Sequence, residues 1–418
     1  MKNILLRILR WILKALAKRF VAIYQPGIVA VTGSVGKTST KEDIRAVLCK
    51  ERRVRATGGN FNNEIGIPLA ILGDWQKIEK PIFWFWLKVI FVSLYRILAP
   101  NKFSSEEYPE ILILEYAADR PGDMKYLLEI ARPQIAVVTA VGDVPVHVEF
   151  YSGPEAVAKE KSKIIEQLPA NGFAILNADD PLVIEMKART RSQVMTFGFT
   201  DKAQVRINGF ENASNEEPIG VVFKLEYGGS FVPVKINGVF GKGQAYAAAA
   251  AACVGLIFGM NLVKLAEALV ENFQAVPGRM NLVRGIKGTF ILDDSYNASP
   301  VAMRAALETL NELKAKRKVA VLGDMLEIGK YSLEVHEEIG KAAAKFVDLL
   351  ITVGPRAKFI AEAAVKAGMV RENIFSFLIA DEAKREVQSK IKKGDLILVK
   401  ASHSMRLDEV VEEIKEIS

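Results

Sequence analysis

The sequence has almost no cysteine: Cys49 and Cys253 are the only two in 418 residues. Two so far apart exclude a disulfide framework and a zinc ribbon, and they fit a reducing cytosol. Internal repeats and low-complexity tails are also lacking. So is any RNA- or DNA-binding motif, and no nucleic-acid partner is expected. The net charge is +7. Much of that excess sits at the N-terminus, so it describes one segment rather than a nucleic-acid-binding surface. What is abundant is apolar: half of the residues are hydrophobic and a quarter are charged. Such a chain is not disordered, and its length suits two or three domains.

Residues 1–24 are unusual. Ile4, Leu5, Leu6, Ile8, Leu9, Trp11, Ile12, Leu13 and Leu16 make a broad apolar face. Arg7, Arg10, Lys14 and Lys18 recur at spacings of three and four, which puts them on one narrow helical face. A signal peptide would keep its charges ahead of the apolar run; here they are interspersed. The pattern predicts a basic amphipathic helix on an anionic membrane surface, or else a helix packed on the protein's own core. A second apolar stretch, from Pro81 to Leu98, holds six aromatic residues and one internal lysine, Lys88. It is barely long enough to span a bilayer, and contact with an interface, a partner helix or the core are the other readings.

From Gly27 onward, short apolar runs alternate with helical patterns. Gly27 to Thr32, Glu110 to Leu114, Ile135 to Thr139 and Phe173 to Leu176 predict strands of a mostly parallel sheet. Residues 202–240 read instead as antiparallel strands with glycine turns. A boundary is expected near Pro277-Gly278. Beyond it Phe290 to Leu292, Val319 to Leu322, Leu349 to Val353 and Leu396 to Val399 restart the alternation. The fold class is α/β: a P-loop central domain at 25–278, with an apolar insertion at about 74–108, and a Rossmann-like domain at 279–418.

The strongest motif is Thr32-Gly33-Ser34-Val35-Gly36-Lys37-Thr38-Ser39-Thr40, placed between a strand and a helix. Glycines let backbone N–H groups turn toward phosphates, and the helix N-terminus adds partial positive charge. Lys37 can reach the β- and γ-phosphates of ATP, and Thr38 can hold Mg²⁺. Gly33, Ser34, Val35, Gly36 and Ser39 complete the expected loop. The usual pattern carries a further glycine where Val31 stands.

Several segments together resemble the Mur ligases, and within them the member that adds D-alanyl-D-alanine. They are this loop, Gly59-Asn60-Phe61-Asn62-Asn63-Glu64-Ile65-Gly66-Ile67-Pro68-Leu69, Glu115 with Pro121-Gly122-Asp123, His147, and Ala158 to Ile164. Asn177-Ala178-Asp179-Asp180-Pro181, Gly278-Arg279-Met280, Asp293 to Ala298, Leu322 to Glu327 and Lys400 to Leu407 continue the match in order. The resemblance implies an ATP-dependent, ADP-forming ligase joining a carboxylate to an amine through an acyl phosphate. It implies two Mg²⁺ ions, with Thr38, Glu115, His147 and Lys161 as ligands, Lys161 as a carbamate, and Lys37, Lys161 and His147 as the catalytic residues. It assigns Arg279, Asp294, Tyr296 and Asn297 to ATP. Asn62, Asn63, Asp324, Glu327, His336, Ser404 and Arg406 would face the substrates. The expected partners are an acidic or UDP-muramoyl peptide and an amine such as D-alanyl-D-alanine.

The sequence departs from that pattern in places. About 25 residues precede the ATP-binding strand, so the domain that grips the UDP end is expected to be absent. Gly243, Gln244 and Ala247 stand where the family usually reads adenine. The segment ending at His147 is about two residues longer than usual, with Ala140 in place of asparagine. Two alternatives follow: a folylpolyglutamate or poly-γ-glutamate type ligase, and an inactive membrane-bound nucleotide scaffold. The expected location is cytoplasmic, at the inner face of the plasma membrane.

Overall fold

The computed structural model describes residues 2–416, apart from 60, 76, 100–107 and 216. Asn60 of the resemblance motif and residues 100–107 of the expected insertion therefore lie outside the described residues.

Nine strands form the first sheet: β1 (Gly27–Thr32), β2 (Val54–Ala56), β3 (Ile111–Glu115), β4 (Ile135–Val138), β5 (Phe173–Asn177), β6 (Gln193–Gly198), β7 (Val205–Ser214), β8 (Pro218–Tyr227) and β9 (Ser230–Asn237). They lie in the order β2-β3-β1-β4-β5-β6-β7-β8-β9. Pairing is parallel from β2 through β7, and β7, β8 and β9 are antiparallel. The parallel strands β1, β3 and β4 are buried on both faces, which is why they read as continuous apolar runs, whereas β9 alternates exposed and buried residues.

Among the described residues, nine α-helices belong with this sheet: α1 (Lys2–Tyr24), α2 (Lys37–Leu48), α3 (Gly66–Leu72), α4 (Ile82–Leu98), α5 (Asp123–Ile130), α6 (Pro154–Glu166), α7 (Pro181–Ile184), α8 (Lys242–Ile257) and α9 (Leu262–Asn272). α2, α8 and α9 cover one face. The alanines from Ala247 to Ala252 are all buried there, and their small side chains let α8 lie close to α2 and the sheet. α1, α3, α5 and α6 cover the other face.

α1 divides its apolar residues between two directions. Leu13, Ala17 and Phe20 are fully buried against the sheet-side core, while Ile4, Ile8 and Trp11 face outward. The packing on the protein's own core is thus met in the C-terminal half of the helix, while its N-terminal half leaves apolar side chains exposed. Burying Leu13 and Phe20 contributes about 1.5–3 kcal/mol each. α4 packs beside α1 through Phe85, Val89 and Ser93, and exposes Phe83, Trp84, Phe91 and Leu98. Among the described residues no helix is long and apolar enough to cross a membrane.

The second sheet has six strands: β10 (Asn281–Gly285), β11 (Thr289–Asp294), β12 (Arg317–Gly323), β13 (Leu349–Val353), β14 (Ile374–Phe377) and β15 (Asp395–Lys400), in the order β10-β11-β15-β12-β13-β14. Only the β10–β11 pair is antiparallel. α10 (Pro300–Glu312), α11 (Ser332–Ala343), α12 (Lys358–Lys366), α13 (Ala380–Lys390) and α14 (Asp408–Ile414) flank it. Ser299 caps α10 by accepting from Ala302 N. In both sheets the parallel strands end toward the cleft between them, where ligands of open α/β sheets bind.

Candidate active site

The phosphate loop joins β1 to α2. Its backbone is fixed from the neighbouring strand: Ser34 N donates to Ala140 O at 2.6 Å, and Thr139 Oγ1 donates to Val35 O at 2.6 Å. A side chain at Gly33 would collide with Thr139 Oγ1 at 2.0 Å, and Gly36 sits in the left-handed region at φ 84°. The close approach and the tight turn are what the glycines permit. Lys37 Nζ donates to Gly33 O at 2.9 Å, curling over the loop. Burial lowers its pKa, with Glu115 and Asp119 opposing the shift.

Thr38 Oγ1 lies 3.0 Å from Glu115 Oε2, and Asn62 Nδ2 donates to Glu115 Oε1 at 3.1 Å. A hydroxyl and a carboxylate beside a phosphate loop suit Mg²⁺, which takes one or two protein oxygens and fills its shell from phosphates and water. These residues fit the ion. Among the described residues no three of His, Cys, Asp or Glu converge on one point.

Lys161, on α6, is 2% exposed, and its pKa is lowered to about 7, first by burial and then by Lys37. Asp119, Glu160 and Asp123 oppose that shift. Glu160 Oε1 accepts from Gly122 N and Met124 N, tying α6 to the loop before α5. Lys163 pairs with Glu160 Oε2 on the other side, so of the three lysines on this turn Lys161 alone is buried. Burial raises Asp119, but the His147 hydrogen bond and the nearby lysines outweigh it and hold its carboxyl below the usual range.

His147 is positioned between two carboxylates. Nε2 lies 3.1 Å from Asp119 Oδ1, and Nδ1 lies 2.6 Å from Glu327 Oε2, off the line of a hydrogen bond. His147 and Glu327 both have left-handed backbones, at φ 69° and 61°. Such strain collects at sites that hold a side chain in place. The structure thus puts His147 in a contact between the domains, against Asp119 on one side and Glu327 on the other.

Facing the loop from the second domain are Arg279, Asp294, Asn297 and Lys400, which line one cleft with Ser34, Val35, Gly36 and Ser39. Arg279 stacks over Tyr296 at 4.2 Å. Lys400 Nζ donates to Asp294 Oδ2 at 2.6 Å and to Asn297 O at 2.8 Å. Burial raises the Asp294 pKa and lowers that of Lys400; each partner opposes the other's shift. Lys400 was not singled out in sequence; a cation at the end of β15, opposite the loop, was the available signal. Beside this cleft lies a cavity of about 570 Å³ bounded by Gly36, Asn177, Tyr246, Ala247, Ala302 and Ala305. Tyr246 Oη donates to Asp179 at 2.9 Å on its wall, while Gln244 turns away and donates to Arg279 O. Asp180 accepts from Val141 N and Gly142 N, bracing the neighbouring loop.

The expected substrate-side residues are spread more widely. Asn63 caps the start of α3 through Ile65 N and Gly66 N. Asp324 is buried and accepts from Arg356 N and Ala357 N. His336 is fully buried; Nε2 accepts from Met325 N, which places its proton on Nδ1, against Ser332 O. These two organise the loop that carries Glu327. Ser404 and Arg406 are exposed, and Arg406 pairs with Glu409.

Comparison with known proteins gives two family matches: the Mur ligase middle domain over residues 31–81 and 98–255, and the Mur ligase, glutamate ligase domain over 278–403. The gap in the first match coincides with all but the last residue of α4. The UDP-N-acetylmuramoyl-tripeptide–D-alanyl-D-alanine ligase of Bacillus subtilis (strain 168) is 30% identical, covering 97% of this chain and 79% of the relative. The MurF ligase of Thermotoga maritima, solved with ADP, superposes with a TM-score of 0.77 at 30% identity, covering 96% of this chain and 82% of that one. E. coli FolC in complex with ADP shares the fold at a TM-score of 0.63, 16% identity and coverage of 96% and 93%.

Proposed function

The chain belongs to the Mur ligase family, and from that premise we propose that it is an ATP-dependent, ADP-forming peptide ligase acting on a muramoyl tripeptide and D-alanyl-D-alanine. The observation that carries this reading is one cleft in which the loop of Lys37, with Thr38 and Glu115 at 3.0 Å, faces Arg279 and Lys400 of the second domain. The acid's carboxylate attacks the γ-phosphate, the bond to the β-phosphate oxygen breaks, and ADP leaves. The amine then attacks the acyl phosphate, and the tetrahedral intermediate expels phosphate. The barrier is largely electrostatic, because a carboxylate must approach a triphosphate. Lys37, Arg279 and the α2 N-terminus neutralise the phosphates. Thr38 and Glu115 would hold Mg²⁺, which supplies charge neutralisation between the phosphate oxygens. Lys161, neutral once deprotonated, is suited to carry a carbamate that becomes an anionic oxygen donor, and His147 with Asp119 would orient the loop around it.

We further assign the protein to the cytoplasmic face of the membrane as a peripheral enzyme. Ile4, Ile8 and Trp11 face outward beside exposed Arg7, Lys18 and Arg19. Each cation near an anionic surface contributes about 1 kcal/mol.

The test is phosphate release from Mg-ATP with UDP-muramoyl tripeptide, with and without D-alanyl-D-alanine, in the natural protein and Lys37→Ala. Release that needs both substrates and Lys37 supports the ligase. Tight Mg-ATP binding with no release for any acid and amine pair would point to the scaffold instead.

A further inference from the structure

Asp294 ends β11, the strand that lies between β10 and β15. A cation stands on each side of it. Lys400 ends β15 and is the register partner of Asp294 across the parallel pair. Arg279 comes two residues before β10, the antiparallel neighbour. The buried carboxylate takes Lys400, whose Nζ donates to Asp294 Oδ2 at 2.6 Å and to Asn297 O at 2.8 Å. Arg279 is left over. Among the described residues its guanidinium meets the Tyr296 ring, at 4.2 Å, and no carboxylate.

Arg279 is nevertheless in the midst of these charges. Burial dominates the pKa shifts of Asp294, Lys400 and Lys37, and the charge of Arg279 contributes to all three. One guanidinium therefore lies in the field of the buried pair and of the phosphate loop. Its backbone is pinned: Arg279 N donates to Asn281 Oδ1 at 2.9 Å, and Arg279 O accepts from Gln244 Nε2 at 3.2 Å. Tyr296 N donates to Gly278 O at 3.2 Å, and a side chain at Gly278 would meet Tyr296 Cβ at 2.9 Å, which sets ring and arginine against each other. Stacking on a ring face leaves the N–H donors at the guanidinium edge uncommitted.

A carboxylate is a well-matched partner for a guanidinium, because two parallel N–H···O bonds form at once. A buried Asp294 without Lys400 would turn to the other cation. ATP phosphate would then compete for Arg279 with a carboxylate held on the same chain at high effective concentration. Resting on the ATP-dependent ligase reading above, we propose that Lys400 is a positioning residue that acts through Arg279: by holding Asp294, it leaves the arginine free for the phosphates of ATP. Asn297 O is its second acceptor, so the ammonium is tied to the loop after β11 as well as to the carboxylate.

The experiment is a double-mutant cycle on the full chain, read as Kd for Mg-ATP by titration calorimetry and as KM for ATP in phosphate release. Lys400→Gln keeps hydrogen-bond donors but no charge. It should raise both constants roughly tenfold, the scale of one hydrogen bond to a charged group. Lys400→Arg, still a cation for Asp294, should recover most of the loss. Arg279→Ala should raise Kd by a similar factor, and adding Lys400→Gln to it should change Kd by less than about twofold. A merely structural lysine would weaken binding equally with or without Arg279. That result, or an unchanged Kd in Lys400→Gln, overturns the inference. The natural protein supplies a second test that needs no variant to fold. Phenylglyoxal should modify Arg279 well ahead of Arg317, which is paired with Asp395 at 3.1 Å, and Mg-ATP should protect Arg279. Equal rates would show Arg279 already engaged and overturn the inference. Kd requires neither acid nor amine, so an absence of phosphate release with UDP-muramoyl tripeptide and D-alanyl-D-alanine overturns the ligase reading alone.

Discussion

Thr38 and Glu115 meet at 3.0 Å although they come from the first turn of α2 and the end of β3. Two oxygen donors at that distance, beside Lys37, have a shared use in a Mg²⁺ shell. Glu115→Gln should lower kcat by roughly 100-fold or more and raise the Mg²⁺ concentration required, whereas Thr38→Ser should keep most activity. A Mg²⁺ titration of phosphate release checks both; an unchanged Mg²⁺ requirement in Glu115→Gln would refute the assignment.

Lys161 should make activity depend on carbon dioxide and on pH. Its pKa of about 7 means that the neutral amine, which captures carbon dioxide, gains population as pH rises through 7. Activity in bicarbonate-free buffer should fall most at about pH 6 and recover on adding bicarbonate. ¹³C-bicarbonate should give a carbamate resonance that Lys161→Ala lacks. The sign for stability is the same: the unfolded chain keeps a proton that the folded one has lost between about 7 and 10.5, so the unliganded protein gains stability as pH rises across that window.

The Lys400–Asp294 pair is buried on both sides. Lys400→Met strands a carboxylate and should destabilise the second domain by about 3–5 kcal/mol, while Lys400→Met/Asp294→Asn should recover a large part. Differential scanning calorimetry distinguishes the two. Equal transition temperatures for the single and double variants would show that the pair contributes little.

Arg304 clamps the domains from outside, holding Asp143 through two bonds of 2.6 and 2.8 Å. Asp143 belongs to the lengthened segment before His147. The pair is partly exposed, so Asp143→Asn should cost only about 0.5–1 kcal/mol of closure and raise KM for ATP several-fold, less so at high salt. Small-angle scattering should show a more open average shape.

Phe20 anchors α1 to the sheet-side core. Phe20→Ala should cost about 3–5 kcal/mol, while Trp11→Ser, one helical face away, should cost little. Urea denaturation separates them, and similar losses would mean that the outer face of α1 is packed rather than free.

Strong local patterns were readable directly. The β-branched run Ile28 to Thr32 followed by a glycine turn announced the strand, loop and helix, and Val319 to Leu322 did the same in the second domain. Strands with weak signals escaped. Val54–Ala56 is three residues long, and Gln193–Gly198 opens on a polar residue. Side-chain geometry was harder still. A histidine on an amphipathic helix reads alike whether it meets substrate or, as His336 does, accepts from a buried backbone N–H. Asp119 and Lys400 draw their meaning from partners far away in sequence, and periodicity carries no such information.

The cavity beside the phosphate loop is walled by Gly36 and Tyr246 from one domain and by Ala302 and Ala305 from the other. A nucleotide filling it would touch both at once, and binding and closure are then linked equilibria. Whatever affinity ATP gains from the second wall, the closed arrangement gains equally in population. A substitution on the far side of either domain that favours opening would register as weaker nucleotide binding without touching the nucleotide, and ATP would in turn protect the domain junction from heat and protease.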